Sequence, residues 1–288
     1  MRLYSFQFQG LTRIGVALPG EKAVLDLAEA APDLPGNPIE LITNFSRFAE
    51  IINDRAGSKW MRDLETLPLV APIPRPGKIL CSGINYRSHL EENPDAILPD
   101  EPFFFAKLPS TVIGHNHPIK YPKLSQQVDY EIEFAAVIGR KMTKTTEPEA
   151  LEHVFGYTIL HDVSARDVQF RNSQITLGKN FDTFCPIGPC VVTRDEIPRP
   201  DRIGLKTFVN GQKMQDGSTA DWLFSLPQLL SFLSQRITLE PGDIVSTGTP
   251  AGVGVFRKPP LFLHPGDVVR LQADQIGILQ NEVIADVN

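Results

Sequence analysis

Asp129-Tyr130-Glu131-Ile132-Glu133-Phe134-Ala135-Ala136-Val137-Ile138-Gly139 opens with acids and continues as an apolar run closed by glycine. In a strand, side chains two apart share a face, so Glu131 and Glu133 point one way while Ile132, Phe134 and Ala136 fill the other. The run falls far short of the roughly 20 apolar residues of a membrane helix and reads as a buried-type strand. Two carboxylates converge at its start. There they repel and one pKa rises, unless a cation sits between them. Oxygen-only ligation suits Mg²⁺, Mn²⁺ or Ca²⁺ better than zinc. The same two acids also suit a solvated strand end.

Outward from this strand the pattern stays β. Lys78-Ile79-Leu80-Cys81, Val154 to Leu160, Pro189 to Thr193 and Leu205 to Val209 read as further strands, punctuated by Gly or Pro. Asn210-Gly211, Pro241-Gly242-Asp243 and Pro265-Gly266-Asp267 mark turns, and Leu223 to Ser234 is the best helix candidate. A β-sandwich or roll follows. Residues 1 to about 70 carry short alternating stretches and a helical pattern from Ile39 to Asp54, which suggests a small lobe with one or two helices. Pro68 to Gly77, with prolines at 68, 72, 74 and 76, reads as an extended connector. The expected division is a small N-terminal lobe, 1–74, and a catalytic domain, 75–288.

Composition narrows the function. The 288 residues carry a formal charge of −6, with no block of like charges, which gives no reason to expect a nucleic-acid partner. No stretch reads as a membrane span or a secretory signal, so a cytoplasmic location is expected. Cys81, Cys185 and Cys190 lack Cys-x-x-Cys spacing, which argues against a disulfide framework or zinc cage and suits a reducing compartment.

Further constellations could carry chemistry. Gly156 to Leu160 ends in His161-Asp162-Val163-Ser164-Ala165-Arg166-Asp167, a polar cluster at the end of an apolar strand. Asp162 can supply a third carboxylate there, or the segment can cap a helix. In Asn85-Tyr86-Arg87-Ser88-His89-Leu90-Glu91-Glu92, His89 and Glu92 are neighbours on a helical turn. A carboxylate so placed orients an imidazole as a general base, although many such pairs are surface contacts. Lys179 stands between glycine and aromatic residues, either partly desolvated and aimed at an anion or exposed in a turn. Ser246 to Gly254 is glycine-rich and offers N–H groups and hydroxyls to a carboxylate, but lacks the Gly-Lys-Ser/Thr of a phosphate loop. His115-Asn116-His117 reads as surface.

Taken in order, these segments resemble the fumarylacetoacetate hydrolase family from about Lys78 to the C-terminus. The motifs are Asn85-Tyr86 with His89 and Glu92, Tyr130-Glu131-Ile132-Glu133, Asp162 to Asp167, Gly178-Lys179 with Phe181-Asp182, Asn210-Gly211, and Pro241-Gly242-Asp243 leading to Thr247-Gly248-Thr249-Pro250-Ala251-Gly252-Val253-Gly254. The resemblance implies an α+β, predominantly β fold, a mixed β-sandwich roll with a small N-terminal α/β lobe, assembled as a homodimer. It implies a Mg²⁺ or Mn²⁺ site, with Ca²⁺ also admitted, made by Glu131, Glu133 and Asp162. By position His89 with Glu92 matches a water-activating dyad, and Lys179 a catalytic cation. Arg166, Gln169, Tyr86 and Thr249 match substrate contacts. Long members of the family place an aspartate ligand where this chain has Ser82, so the chain resembles the shorter, three-carboxylate branch. The implied substrate is a 2-oxo or 2,4-dioxo acid. The presence of both dyad residues favours hydrolysis of the carbon-carbon bond of an acylpyruvate to pyruvate and a carboxylic acid. Oxaloacetate decarboxylation or 2-oxo acid tautomerisation or isomerisation at the same site is the alternative.

Overall fold

A computed structural model describes residues 1–18, 20, 22–93, 96–171 and 175–286. At its centre the strand Ile132–Ile138 is buried along its whole length. It pairs antiparallel with Val154–His161 on one side and Ile244–Ser246 on the other. Beyond Ile244–Ser246 lie Ile79–Ser82, in parallel, and Phe104–Lys107. Beyond Val154–His161 lies Cys185–Thr193, and the sheet continues through Arg2–Phe8, Leu11–Ala17, Ala23–Asp26 and Met61–Asp63. The N-terminal strands therefore extend the same sheet across the Pro68 to Gly77 connector, in the register Arg2↔Val192 and Leu3↔Val191.

A second, five-stranded sheet runs Gln212–Ser218, Gly204–Val209, Val268–Ala273, Gly277–Ala285 and Ile119–Tyr121. Its Leu205, Val269, Leu271 and Leu279 pack in one core with Ile132, Phe134, Ala136, Tyr157 and Ile159 of the large sheet. The opposite face of the large sheet, with Ala135, Val137 and Leu160, packs with Leu41, Ile42 and Ile52 of the helices Pro38–Thr43 and Phe45–Arg55. This is the mixed β-sandwich roll that the sequence suggests. The expected alternation holds along Ile132–Ile138, which separates the two cores.

Local rules account for the element ends. The Asn210-Gly211 hairpin has both turn residues at positive φ, 50° and 80°, as a type I′ turn requires. The helix expected from Leu223 starts later, at Leu226, because Ser225 caps it and Gln228 reciprocates. The single helical pattern from Ile39 to Asp54 is two helices, since Asn44 breaks from helical geometry between them. The acidic, proline-rich stretch Glu91 to Pro102 reads in the sequence as a mobile lid, and its Pro94 and Asp95 lie outside the described residues. Among the described residues no helix is long and apolar enough to cross a membrane.

Candidate metal centre and acid-base dyad

Glu131, Glu133 and Asp162 converge as the alternation predicts: each offers an oxygen within 4.8 Å of the others, and all three are buried. Two pairings bring them together. Val128–Asp129 pairs with Ser164–Ala165, and the Asp162 N–H donates to the Glu131 carbonyl at 3.0 Å. The solvated strand end is thereby excluded, since Glu133 is 1% exposed and Asp162 0%.

Buried acids need compensation, and three cations supply part of it. Lys179 Nζ donates to Glu131 Oε2 at 2.9 Å, Asp162 Oδ2 at 2.5 Å and Ser164 Oγ at 2.7 Å. It is 3% exposed, so the exposed-turn reading of this lysine does not hold. The Arg166 guanidinium donates through Nη2 to Glu131 Oε1 at 2.5 Å, through Nε to Asp129 Oδ2 at 2.9 Å and through Nη1 to Gln169 Oε1 at 3.0 Å. Lys107, with a fully buried side chain, donates to Asp162 Oδ1 at 2.5 Å and to the carbonyls of Val163 and Lys179. Four carboxylates thus face three cations.

Glu133 is the acid left without a cationic partner among the described residues. Burial raises the Glu131 carboxyl, but Arg166 and Lys179, with a smaller contribution from His89, outweigh it and hold it well below the usual range. Burial pushes Glu133 the other way, well above that range, reinforced by the charges of Asp162 and Glu131. Its close partner is the Ser246 hydroxyl, and among the described residues it has no ion pair. Three buried carboxylates, one lacking a counter-charge, form an all-oxygen donor set that fits a hard divalent cation.

His89 and Glu92 lie on the short helix Arg87–Glu92, with His89 Nδ1 2.6 Å from Glu92 Oε1. A proton on Nδ1 satisfies the carboxylate and makes Nε2 the unprotonated nitrogen of the neutral ring. Glu92 Oε2 in turn accepts the Gly252 N–H at 2.7 Å, while Asp129 accepts Gly254 N–H at 2.7 Å and Val255 N–H at 3.0 Å. The glycine-rich stretch therefore does offer its N–H groups to carboxylates, and these belong to the protein itself. It ties the dyad and the Arg166 partner to one piece of backbone.

Tyr86 is fully buried, edge-on to Trp222 at 6.5 Å. Thr249, 2% exposed, donates its hydroxyl proton to the Ile132 carbonyl at 2.7 Å and accepts from Gln215 Nε2 at 2.8 Å. Neither side chain hydrogen bonds to the three acids, unlike Arg166 and Lys179. His115 is half-buried and accepts the Gln280 N–H at 3.1 Å, so it belongs to the fold more than to the surface. Lys107 and Gln215 are not singled out by sequence reasoning, while Asp129, Ser164 and Ser246 stand in stretches it quotes without a site role of their own. The only signal for Lys107 is a cation closing the aromatic run Phe103-Phe104-Phe105-Ala106.

Comparison with known proteins bears on the whole chain. Residues 78–284 match the model of the fumarylacetoacetate (FAA) hydrolase C-terminal domain. A mitochondrial oxaloacetate tautomerase of Xenopus laevis is 42% identical over 99% of this chain and 90% of its own length. The oxaloacetate tautomerase YisK of Bacillus subtilis is 42% identical over 94% of this chain and 95% of its own. Among solved structures, the maleylpyruvate hydrolase of Sphingobium sp. SYK-6, in complex with manganese(II) and pyruvate, superposes with a TM-score of 0.82 at 29% identity, covering 99% of each chain. Both of these relatives carry the name of a tautomerase, the alternative to the acylpyruvate hydrolysis expected from the dyad. The motif order, the roll and the buried acids meet in one assignment: this chain belongs to the fumarylacetoacetate hydrolase family.

Proposed function

We propose that the protein is a divalent-metal-dependent oxaloacetate tautomerase, interconverting the keto and enol forms of this 2-oxo acid. The observation that carries the reading is the buried convergence of Glu131, Glu133 and Asp162, in which Glu133 has no cationic partner among the described residues. The similarity to oxaloacetate tautomerases along nearly the full chain supports it. These three residues would hold Mg²⁺ or Mn²⁺. When bound, such a cation polarises the 2-oxo and carboxylate oxygens and stabilises charge on them.

The chain's own groups then supply the proton transfers. His89, oriented by Glu92, takes the proton from C3 of the keto form and its imidazolium delivers that proton to the C2 oxygen to complete the enol, and the reverse direction retraces both transfers. Lys179 and Arg166 place positive charge where negative charge develops on the substrate oxygens, and Gln169 holds the guanidinium in orientation. Tyr86 and Thr249 complete the substrate contacts. Thr249, whose proton is committed to the Ile132 carbonyl, acts there as an acceptor. The lobe 1–74, the catalytic domain 75–288, a homodimeric assembly and a cytoplasmic location form part of the same proposal. Three free, buried thiols support the last.

A second reading, hydrolysis of an acylpyruvate, is favoured by the dyad, which can equally deprotonate water, and by the likeness to maleylpyruvate hydrolase. One experiment separates them. Metal-stripped protein with Mn²⁺ restored is mixed with enol oxaloacetate, and with acetylpyruvate or fumarylpyruvate, while enol absorbance and pyruvate are followed. Tautomerisation predicts metal-dependent relaxation of oxaloacetate without pyruvate. Pyruvate with CO₂ from oxaloacetate would mark a decarboxylase, and pyruvate from an acylpyruvate a hydrolase. Inertness toward all three would overturn both readings.

A further inference from the structure

The peptide between the two metal-strand glutamates is held from the second sheet. Gln215 Oε1 accepts the Ile132 N–H at 3.1 Å, Thr249 Oγ1 donates to the Ile132 carbonyl at 2.7 Å, and Gln215 Nε2 donates to Thr249 Oγ1 at 2.8 Å. These three bonds close a ring around Ile132. Its donors and acceptors run consistently, and the orientation of the amide is forced. Gln215 Oε1 also accepts from Thr207 Oγ1 at 2.7 Å, and Nε2 also donates to the Pro250 carbonyl at 2.9 Å. A flipped amide would set its NH₂ against the Ile132 N–H and its oxygen against the Pro250 carbonyl.

The backbone is shaped to deliver this side chain. Thr207 pairs with Gln215 but Phe208 with Lys213, so Met214 is the extra residue of a β-bulge. Met214 and Gln215 are consequently buried side by side in an otherwise polar strand, where regular alternation would expose one of them. A Cβ at Gly217 would meet Pro250 Cβ at 2.4 Å, and one at Gly252 would meet the Met214 carbonyl at 2.4 Å. Only glycines admit so close an approach of strand and loop, and that approach puts a fully buried amide within reach of Ile132.

We infer that Gln215 and Thr249 are positioning residues: the ring they close on the Ile132 peptide sets the direction in which Glu131 and Glu133 present their carboxylates to a divalent cation. This rests on the metal reading proposed above. A glutamate side chain turns with its Cα, so a peptide left to rock between two ligands would spread both carboxylates.

The test is Mn²⁺ affinity by titration calorimetry on the full-length protein, with the melting temperature of each metal-free variant alongside. Gln215→Ala and Thr249→Val lower affinity about 10–100-fold, the range for groups that orient metal ligands. Thr249→Ser keeps the hydroxyl and restores affinity to within about threefold. Thr207→Val removes a bond to the same amide but leaves the ring intact. It lowers the melting temperature as Thr249→Val does, while Mn²⁺ affinity stays near wild type. If Gln215→Ala does not fold, the Thr249→Val and Thr249→Ser pair decides. Wild-type affinity in Thr249→Val, or an equal loss in Thr207→Val, overturns the inference and leaves the metal reading standing. Failure of the wild-type protein to bind Mn²⁺ overturns both.

Discussion

Glu133 differs from the other two carboxylates in its surroundings. Glu131 and Asp162 each share Lys179 and have a second cation of their own, Arg166 and Lys107, whereas Glu133 meets the Ser246 hydroxyl. Neutralising it removes a ligand charge without stranding a buried cation. Glu133→Gln, nearly isosteric, is therefore expected to lower Mn²⁺ affinity by more than about 100-fold, beyond the cost of outer-shell changes. The metal-free variant is expected to melt no lower than wild type, because burial and the neighbouring acids already disfavour the charged form of Glu133 that the amide replaces. Calorimetry and thermal unfolding check both halves, and undiminished Mn²⁺ binding would remove Glu133 from the ligand set. His89→Ala makes the complementary case. It removes none of the three carboxylates, and turnover is expected to fall about 10²–10⁴-fold, the worth of a positioned base. Mn²⁺ affinity is expected to hold, and loss of both together would mean that His89 supports the metal site instead of the proton transfer.

Elements, more than single side chains, decide how the site is held. The glycine-rich loop approaches the Gln212–Ser218 strand at Gly252, whose φ is +106°. Gly252→Ala meets both a strained backbone and the Met214 carbonyl, and displaces the N–H that Glu92 accepts. A loss of about 1–3 kcal/mol in stability is expected, with a fall in turnover exceeding any fall in Mn²⁺ affinity. The 114–117 loop is joined to Gly277–Ala285 by the Asn281 amide, which donates to the carbonyls of Gly114 and His117, and by His115, which accepts the Gln280 N–H. Burial, with the neighbouring His117, lowers the His115 pKa from the ordinary histidine value, and protonation of Nδ1 would cancel that acceptor. As pH falls below about 6.5, the unfolded chain takes up this proton before the folded protein does, so stability falls with it. In His115→Asn the decline of melting temperature from pH 7 to 5 is expected to be shallower, and an unchanged slope would assign the acid sensitivity elsewhere. Period-two alternation makes Glu131 and Glu133 legible in sequence, and a polar cluster closing an apolar strand marks Asp162. Lys107 and Gln215 are not legible in the same way. Their partners Asp162 and Ile132 lie far along the chain, and neither a lysine closing an aromatic run nor a glutamine in a polar strand announces burial. A β-bulge breaks the very periodicity by which the second would be read.

At the scale of the molecule, the proline-rich connector separates two segments in sequence, while the hydrogen-bonded sheet runs through both. Arg2–Phe8 pairs along its whole length with Leu11–Ala17 on one side, and on the other with Cys185–Thr193 at Arg2 and Leu3 and with Leu69–Val70 at Ser5 and Phe6. Leu3, Tyr4 and Phe6 are almost wholly buried: Leu3 belongs to the same core as Val191, and Tyr4 and Phe6 to the core that holds Val192 and Leu279. Side chains of this size are worth roughly 1.5–3 kcal/mol each when fully buried. A chain cut to residues 75–288 forfeits them and exposes part of the Cys185–Thr193 strand as an open edge, a template for pairing between copies. The truncated protein is therefore expected to aggregate or to unfold well below the full chain, although it retains all ten proposed site residues. Size-exclusion chromatography with circular dichroism reads the outcome. A monodisperse 75–288 fragment with native strand content and wild-type Mn²⁺ affinity would mean that the N-terminal lobe is dispensable for the catalytic fold. Aggregation would mean that the connector marks a boundary in the chain and not in the cooperative unit, with the site at Glu131, Glu133 and Asp162 depending on an edge strand that supplies none of its ligands.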